Sequence, residues 1–433
     1  MAVLRRIGSK RGEAVLLAAL VVELALLWLW QRNGYWDFSD GVYAQTAREL
    51  LHGAHLYGGV AAAQPPPIYL LGAGLLAIHD GLASLRVGMA LAELASALLV
   101  AYALVRLGAR RSVAFVAALA TPLLPIELHE HAQLIPETLA APLLMAGAVL
   151  VASPRRSAWG GVAVALAAAF KVAFVLPALA IVLVAGDRRR AAGAFAASGL
   201  ALGLASLLGF GTALWTEVVR AQFEVGGASL HYVGGLLAQA LWNELPLLVL
   251  AAPVGWALLR RRSLSSDAPL ERALAAAALA GLLLSLTLFK RGSYLNVLVV
   301  AEPPLLALAA LGAESIWRRG APLRALAALL GLLLVAQSAS ILIDPANPPV
   351  ARRPGARSGL AQVSSPAAVN AAVAATRRCP PAAPYPGAPY IAFLADRTMP
   401  GGQPDTFMLR YAPADHAFAR RAAGGAPRCP PLS

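Results

Sequence analysis

Long apolar runs recur along the whole chain, and they constrain its fold more than any other feature. Each run covers roughly 17–25 residues, the length that an α-helix needs to cross the hydrocarbon core of a bilayer. Of the 433 residues, 59% are hydrophobic and 13% are charged, whereas a soluble domain carries about 25% charged residues. A water-soluble core cannot bury so much apolar surface, and only helices or closed barrels span lipid. The sequence therefore predicts an all-α polytopic membrane protein.

The positions of the basic residues predict the topology. Of 36 Lys and Arg, 19 lie on one alternating set of loops and span ends, ten lie in the tail after Ile343, and seven remain elsewhere. This is the positive-inside distribution of a membrane protein, so the net charge of +14 does not indicate nucleic-acid binding. It predicts a cytoplasmic N-terminus, an extracytoplasmic C-terminus and about eleven spans. They are placed at about 14–31, 84–107, 112–127, 135–152, two short spans within 157–186, 191–211, 241–259, 272–289, 295–316 and 321–343.

Two regions lie outside the predicted spans. The first outer loop, 32–83, contains surface helices and belongs to a membrane domain of residues 1–343. Residues 344–433 form an extracytoplasmic tail or a small domain, rich in Pro, Gly, Ala and Arg. This tail holds both cysteines, Cys379 and Cys429. In an oxidising compartment they are expected to form a disulfide; two unpaired thiols are the alternative.

Acidic residues gather at the predicted outer face, where carboxylates near a membrane usually face a cavity or a partner. Asp37 and Asp40 come directly after the first span. Asp40 is either the N-cap of the helix that follows or a general base that takes a proton from an acceptor hydroxyl. A second polar group, Glu127–His131 with Glu137, lies at another outer span end. Its His-Glu-His spacing matches no zinc motif, so hydrogen-bonded partners for Asp40 are favoured.

Three cations lie where the charge bias predicts none. Lys171 interrupts an apolar stretch, and Lys290 and Arg291 open a late outer loop. A lysine in the membrane needs an anionic partner or must extend its ammonium group to water. The interpretations for Lys171 are therefore phosphate binding and snorkelling, and the Lys290–Arg291 pair indicates an anionic ligand such as a phosphate.

The order and sidedness of these elements resemble one enzyme superfamily. Asp40-Gly41-Val42-Tyr43 opens a surface helix, Pro65-Pro66-Pro67-Ile68-Tyr69 follows it, and Lys171 and the Lys290–Asn296 loop come later. Together they are similar to bacterial polyprenyl-phosphate-dependent glycosyltransferases of the GT-C superfamily, in the protein-mannosyltransferase-like and aminoarabinose-transferase-like group. The resemblance covers about residues 14–310. The chain departs from the pattern at Gly41, where a second acid is usual, and at Gln64, where a lysine is usual.

The resemblance implies an enzyme of the bacterial inner (plasma) membrane that acts at its outer face. It would move a sugar from a polyprenyl-phosphate donor to a hydroxyl of a glycan, lipid or protein acceptor, in one inverting displacement with a carboxylate base. The resemblance leaves the cofactor open, with a divalent metal (Mg²⁺ or Mn²⁺) as the candidate. The alternative function is a transporter or flippase of a lipid-linked saccharide. The implied catalytic residues are Asp40, Glu130 and Glu137; the donor-phosphate ligands are Lys171, Lys290 and Arg291; and the substrate-binding residues are Asp37, Tyr43, His131, Tyr69 and Asn296.

Overall fold

The structure is a computed structural model, and it describes residues 10–31, 38–224, 226–345, 348–353, 366–380 and 388–405. Regular secondary structure in these residues is helical, because the apolar segments satisfy their backbone hydrogen bonds internally. The α-helices are α1 (Lys10–Gln31), α2 (Phe38–Leu51), α3 (Pro66–Ile78), α4 (Leu82–Arg106), α5 (Arg111–Ala120), α6 (Pro125–His129), α7 (Pro136–Val151), α8 (Ser157–Phe170), α9 (Val175–Leu183), α10 (Arg188–Trp215), α11 (Ala221–Glu224), α12 (Leu230–Leu259), α13 (Ala268–Leu283), α14 (Glu302–Trp317), α15 (Ala321–Ile343), α16 (Pro366–Arg377) and α17 (Pro389–Ala395).

Within the described residues, six helices are long and apolar enough to cross a membrane. They are Gly12–Gln31, Leu82–Arg106, Arg188–Arg220, Leu230–Leu259, Ala268–Phe289 and Ala321–Ile343. The predicted polytopic all-α class is therefore confirmed, but the count of eleven spans is not. Several predicted spans are shorter helices, namely Arg111–Leu123, Pro136–Val151 and Val172–Leu183.

Chain breaks explain why some predicted spans are short. The predicted span at 112–127 is divided between α5, a 3-10 turn at Thr121–Leu123 and α6, with a proline at the start of each new piece. Proline lacks the N–H that would continue a helix. Residues 157–186 form two short helices, α8 and α9, which meet at Lys171, where the backbone is extended (φ −154°, ψ 128°). The predicted hairpin with Lys171 at its tip is therefore observed.

The buried core lies where α4, α7, α8, α13 and α14 pack against one another. Small residues bring these helices close together, as is usual for helix pairs in membranes. At Gly161 of α8, an added Cβ would lie 2.2 Å from the carbonyl oxygen of Ala191 in α10. This close packing fixes α8, and therefore fixes the position of Lys171 at its end.

The described parts of the tail pack on the membrane helices. Residues 348–353 bond to α12 and α15: Gln239 donates to the carbonyl of Ala351 (2.7 Å), and Ala351 N–H donates to Ser340 Oγ (2.9 Å). Helix α16 packs on α17, and α17 packs on α2. The boundary at 343/344 stays a prediction, and so does the Cys379–Cys429 bridge, because Cys429 lies outside the described residues.

Candidate active site

Asp40 lies in the first turn of α2, and its side chain is completely buried. Its two carboxylate oxygens accept hydrogen bonds from the Arg86 guanidinium of α4, at 3.1 Å (Oδ1) and 2.6 Å (Oδ2). Oδ1 also accepts from the backbone N–H of Leu134 at 2.8 Å. Such a bidentate ion pair is strong and sets the orientation of both side chains. Asp40 therefore joins α2, α4 and the 130–135 segment instead of capping its own helix.

Sequence reasoning missed Arg86, the partner of Asp40. Arg86 is 2% exposed, and it also donates to the carbonyl of Ala132 at 2.8 Å. The sequence did contain a signal, an arginine inside the apolar helix Leu82–Arg106. A charged residue within a membrane helix marks a candidate functional site, because its burial is costly without a partner. Glu93 of the same helix accepts from the N–H of Ala132 at 2.6 Å and contacts His131 Nδ1 at 2.7 Å. The predicted substrate ligand His131 is thus fully buried against a carboxylate.

Glu130 and Glu137, the two candidates for the second acid, have different partners. Glu137 is fully buried and contacts Lys171 Nζ at 2.5 Å. Glu130 is 2% exposed, and its Oε1 contacts His129 Nδ1 at 3.0 Å, while its Oε2 has no hydrogen-bond partner among the described residues. Burial raises the pKa of Glu130 well above its usual range, and the charges of Glu137 and Asp40 raise it further, whereas Lys171 opposes the rise. These residues share one electrostatic neighbourhood, in which burial and the nearby carboxylates raise the proton affinity of Glu130.

The three predicted phosphate ligands, Lys171, Lys290 and Arg291, differ in their burial and in their neighbours. The Lys171 side chain is 20% exposed. Burial lowers the pKa of Lys290 to about 8, the charge of Lys171 lowers it too, and Asp405 opposes the change. Lys171 and Lys290 therefore lie near each other, a cation pair that an anion would stabilise. Arg291 is exposed, with its N–H bonded to the carbonyl of Gly226, and Asn296 is half-buried in the 3-10 turn Leu295–Leu298.

The carboxylate of Glu302 holds the start of helix α6 in place. Glu302, at the start of α14, accepts from the N–H groups of Ile126 (3.3 Å) and Glu127 (2.9 Å). These N–H groups begin α6, and a helix start has no internal acceptor for them. Glu302 therefore fixes the helix that carries His129 and leads to Glu130.

The predicted aromatic ligands are packed within the outer-loop core. The rings of Tyr43 and Tyr69 lie 5.6 Å apart, and both side chains are buried. Tyr69 Oη accepts from the N–H of Gln64 at 3.2 Å, and Tyr57 Oη donates to the carbonyl of Gln64 at 2.6 Å. Gln64 thus stands where the family pattern has a lysine and bonds through its backbone. Sugar binding by Tyr43 and Tyr69 stays a prediction, and Asp37 lies outside the described residues.

The C-terminal segment 388–405 covers this part of the molecule. An added Cβ on Gly41 would lie 2.5 Å from the backbone nitrogen of Tyr390, so α17 packs directly on the turn that carries Asp40. Burial raises the pKa of Tyr390, and the charge of Arg86, to which Tyr390 is hydrogen-bonded, opposes that rise. Gly41 therefore stands where the family pattern has a second acid because α17 occupies the space.

Two more contacts hold the segment in place. The Arg48 guanidinium lies 3.8 Å from the Phe393 ring centroid and donates to the Phe393 carbonyl at 2.5 Å. Gln403 accepts from Ala61 N–H and donates to the Gly59 carbonyl, both at 2.8 Å. Local sequence patterns could not predict these long-range contacts, because they join residues more than 340 positions apart.

An apolar groove of about 410 Å³ lies between α8 and α10. Ala168, Ala169 and Val172, which flank Lys171 in sequence, form one side of it. The other side is α10, most of whose surface is exposed, so the groove opens where lipid would contact the protein. The remaining lining residues come from the Pro65–Pro67 element, α9 and the Leu214–Val219 turn.

Across the described ranges, no group of three or more His, Cys, Asp or Glu is arranged to hold a metal ion. His129 and His131 each contact one carboxylate. A divalent metal held by one or two carboxylates together with the donor phosphate would not need such a group.

Comparison with known proteins identifies the fold and the family. No curated protein matches the chain. Two crystal structures of ArnT from Cupriavidus metallidurans do match, one bound to undecaprenyl phosphate and one in the apo state. Each has 14% sequence identity and a TM-score of 0.61, over 90% of this chain and 86% of that chain. At this identity the match establishes a shared fold.

The family model for glycosyltransferase family 87 matches residues 65–289. This range is more than half of the chain, and it includes Arg86, Glu130, Glu137 and Lys171. The match supports the enzyme interpretation over the transporter alternative, and the predicted GT-C resemblance is confirmed. The chain belongs to glycosyltransferase family 87 and is a membrane-embedded glycosyltransferase.

Proposed function

We propose that this enzyme moves a sugar from a polyprenyl-phosphate donor to an acceptor hydroxyl at the outer face of the bacterial inner membrane. The observation that carries the proposal is an apolar groove lined by Ala168, Ala169 and Val172, the residues that flank Lys171 in sequence. Part of the polyprenyl chain would lie along this groove, with its phosphate toward Lys171. The ArnT structure with undecaprenyl phosphate supports this class of donor.

Lys171 and Lys290 provide the positive charge for the phosphate. Before the donor binds, Lys171 is paired with Glu137 at 2.5 Å. Burial and the Lys171 charge lower the pKa of Lys290 to about 8, so this lysine gains a favourable partner when a phosphate arrives. During the reaction, negative charge grows on the phosphate oxygen that leaves the sugar. Fixed cations at such a position usually make the largest contribution to catalysis.

Glu130 is the best-placed base. Both oxygens of Asp40 already bond to Arg86, whereas Oε2 of Glu130 has no partner in the described part of the chain. The pKa of Glu130 is raised by burial first and then by neighbouring carboxylates. A general base works best when its pKa is close to the working pH. Asp40 then acts as the fixed charge that orients Arg86 and raises the proton affinity of Glu130.

The proposed step is a single displacement. The acceptor oxygen forms a bond to the anomeric carbon of the donor sugar as its proton passes to Glu130. The bond between that carbon and the phosphate oxygen breaks, and its electron pair stays on the phosphate. The products are the glycosylated acceptor and free polyprenyl phosphate, with the anomeric configuration inverted. The acceptor hydroxyl belongs to a glycan, a lipid or a protein.

Sugar release from a radiolabelled polyprenyl-phosphate sugar by the purified protein tests the proposal. Glu130→Gln should lower kcat by about 10²–10⁴-fold, the usual contribution of a general base. Lys171→Met should weaken donor use, and the control Glu23→Gln replaces a carboxylate of α1 with an amide and should match wild type. Equal activity of Glu130→Gln and wild type would overturn the base assignment. Absence of release by wild type from donors of this class would overturn the donor assignment.

A further inference from the structure

A second group of cations lies at the other end of the helical bundle. Two adjoining cavities, of about 540 Å³ and 480 Å³, share Arg272 of α13 as a wall. The first is also lined by Arg188 and Arg189 at the start of α10, and the second by Arg261 and Arg262 after α12. Five arginines from three chain segments therefore line one place, and all five are exposed.

This place is distant from the proposed donor site. Helix α8 runs from Ser157, whose hydroxyl accepts from the N–H of Asp187 beside the first cavity (3.2 Å), to Phe170 beside Lys171. Its 14 residues span about 21 Å at 1.5 Å per residue. The arginine cavities therefore lie at the face that the charge bias predicts to be cytoplasmic, and the cations there cannot serve the donor phosphate.

The five arginines have no ion pair within the described ranges, whereas other arginines at this face do. Nearby acids are already used: Asp187 pairs with Arg190, Asp267 with Arg106, and Glu314 with both Arg110 and Arg318. Like charges held together repel one another, and a bound anion removes that cost. The unpaired arginines are Arg188, Arg189, Arg261, Arg262 and Arg272.

The backbone around the cavities is held in place. The buried carboxylate of Glu271 accepts from Ser263 Oγ (2.6 Å) and from the N–H groups of Leu264 (3.3 Å) and Ser265 (3.0 Å). On the other side, the N–H of Gly186 donates to the carbonyl of Val151 at 2.8 Å. Because the loops are fixed, binding has to order the exposed arginine side chains but not the backbone that carries them.

Exposed apolar side chains lie one position from Val184 and Leu258, which line the cavities. Leu183 at the end of α9 is 65% exposed, and Leu259 at the end of α12 is 80% exposed. These side chains contact lipid if the helices cross the membrane. A ligand here would therefore have both an anionic head and apolar chains, and basic pockets between membrane helices bind such phospholipids.

We propose that the two arginine cavities bind the phosphate groups of an anionic phospholipid, one phosphate in each cavity with Arg272 between them. A headgroup with two phosphates, as in diphosphatidylglycerol, matches two cavities that share a wall. A scattered positive charge would be enough to orient the protein in the membrane. Orientation of the protein in the membrane does not require five arginines to gather on fixed loops. A bound anionic ligand explains that arrangement.

Binding to the delipidated, purified full chain tests the proposal by native mass spectrometry and thermal unfolding. Diphosphatidylglycerol should bind and raise Tm, whereas phosphatidylcholine should not. Arg272→Gln should weaken binding by about five-fold or more, the typical contribution of one basic residue at an anionic surface. The control Arg319→Gln/Arg324→Gln removes two charges of the α14–α15 region, outside the cavities, and should bind like wild type.

Three outcomes would overturn the proposal. One is no preference of wild type for diphosphatidylglycerol over phosphatidylcholine. Another is an equal loss of binding in the control variant, which would show general attraction to the charged face. The third is an equal rise in Tm with inorganic pyrophosphate, which would identify a soluble phosphate ligand instead of a lipid. If Arg272→Gln does not fold, Arg261→Gln/Arg262→Gln provides the same comparison.

Discussion

Substitution of Gly41 by alanine tests whether the C-terminal helix α17 is part of the active site. The added Cβ would lie 2.5 Å from the backbone nitrogen of Tyr390, 2.8 Å from its Cβ and 2.9 Å from its Cα. Ordinary contacts between heavy atoms are about 3.5–4.0 Å. Backbone atoms cannot rotate away as a flexible side chain can. Helix α17 must therefore move by about 1 Å or leave its place on α2.

The expected change in stability combines two opposing effects. Overpacking of this kind costs about 1–3 kcal/mol, while replacement of a helical glycine by alanine contributes about 0.5–1 kcal/mol of stability. The net loss in the free energy of unfolding is therefore between about 0 and 2.5 kcal/mol. Activity should fall more, by about 100-fold, because a displacement near 1 Å can cost that much. The shift would disturb Tyr390, which is hydrogen-bonded to Arg86 beside Asp40.

Gly74→Ala is the matched control. Gly74 lies within α3, and a Cβ there would meet no atom within 4 Å. This variant should be slightly more stable than wild type and fully active. The assays are thermal unfolding in detergent, limited proteolysis of the tail and initial rates of sugar transfer. If Gly41→Ala and Gly74→Ala behave alike in all three, α17 does not lie on Asp40 as described.

Three further predictions concern the charged groups of the site. Asp40→Asn should reduce the free energy of unfolding by about 3–5 kcal/mol, because it leaves a buried Arg86 without its carboxylate; unfolding curves of Asp40→Asn, Arg86→Gln and the double variant test this, and additive losses would contradict the pairing. Activity should decline as pH rises through about 8, because Lys290, whose pKa is lowered to about 8, then loses its charge; a pH–rate profile with the same decline in Lys290→Arg would refute this. On the acid side, activity should rise as Glu130 loses its proton, at a pH above the usual range of a carboxyl because its pKa is raised; an acid limb that persists in Glu130→Gln would assign that limb to another group.

The sequence by itself determined the class of fold and the chemical types in the site. Long apolar runs require helices, because lipid offers no hydrogen-bond partners to the backbone. The hairpin with Lys171 at its tip was predictable for a different reason, because basic clusters flank both of its ends. Acidic residues at the outer face and isolated lysines could be recognised as candidates, because their burial is costly unless they have partners. The number of spans was less predictable. Prolines and 3-10 turns divide apolar runs that look continuous by composition.

The tertiary structure decided which of these residues act together. Asp40 and Arg86 are 46 positions apart and Glu137 and Lys171 are 34 apart, and no local pattern indicates such pairs. Tyr390 and Gly41 lie at nearly opposite ends of the chain, so only the folded tail explains why Gly41 has no side chain. Charges and residue types follow from the sequence because they are local properties. The partner of each buried charge depends on the packing of helices distant in sequence, and that packing gives Asp40, Glu130 and Glu137 their different partners.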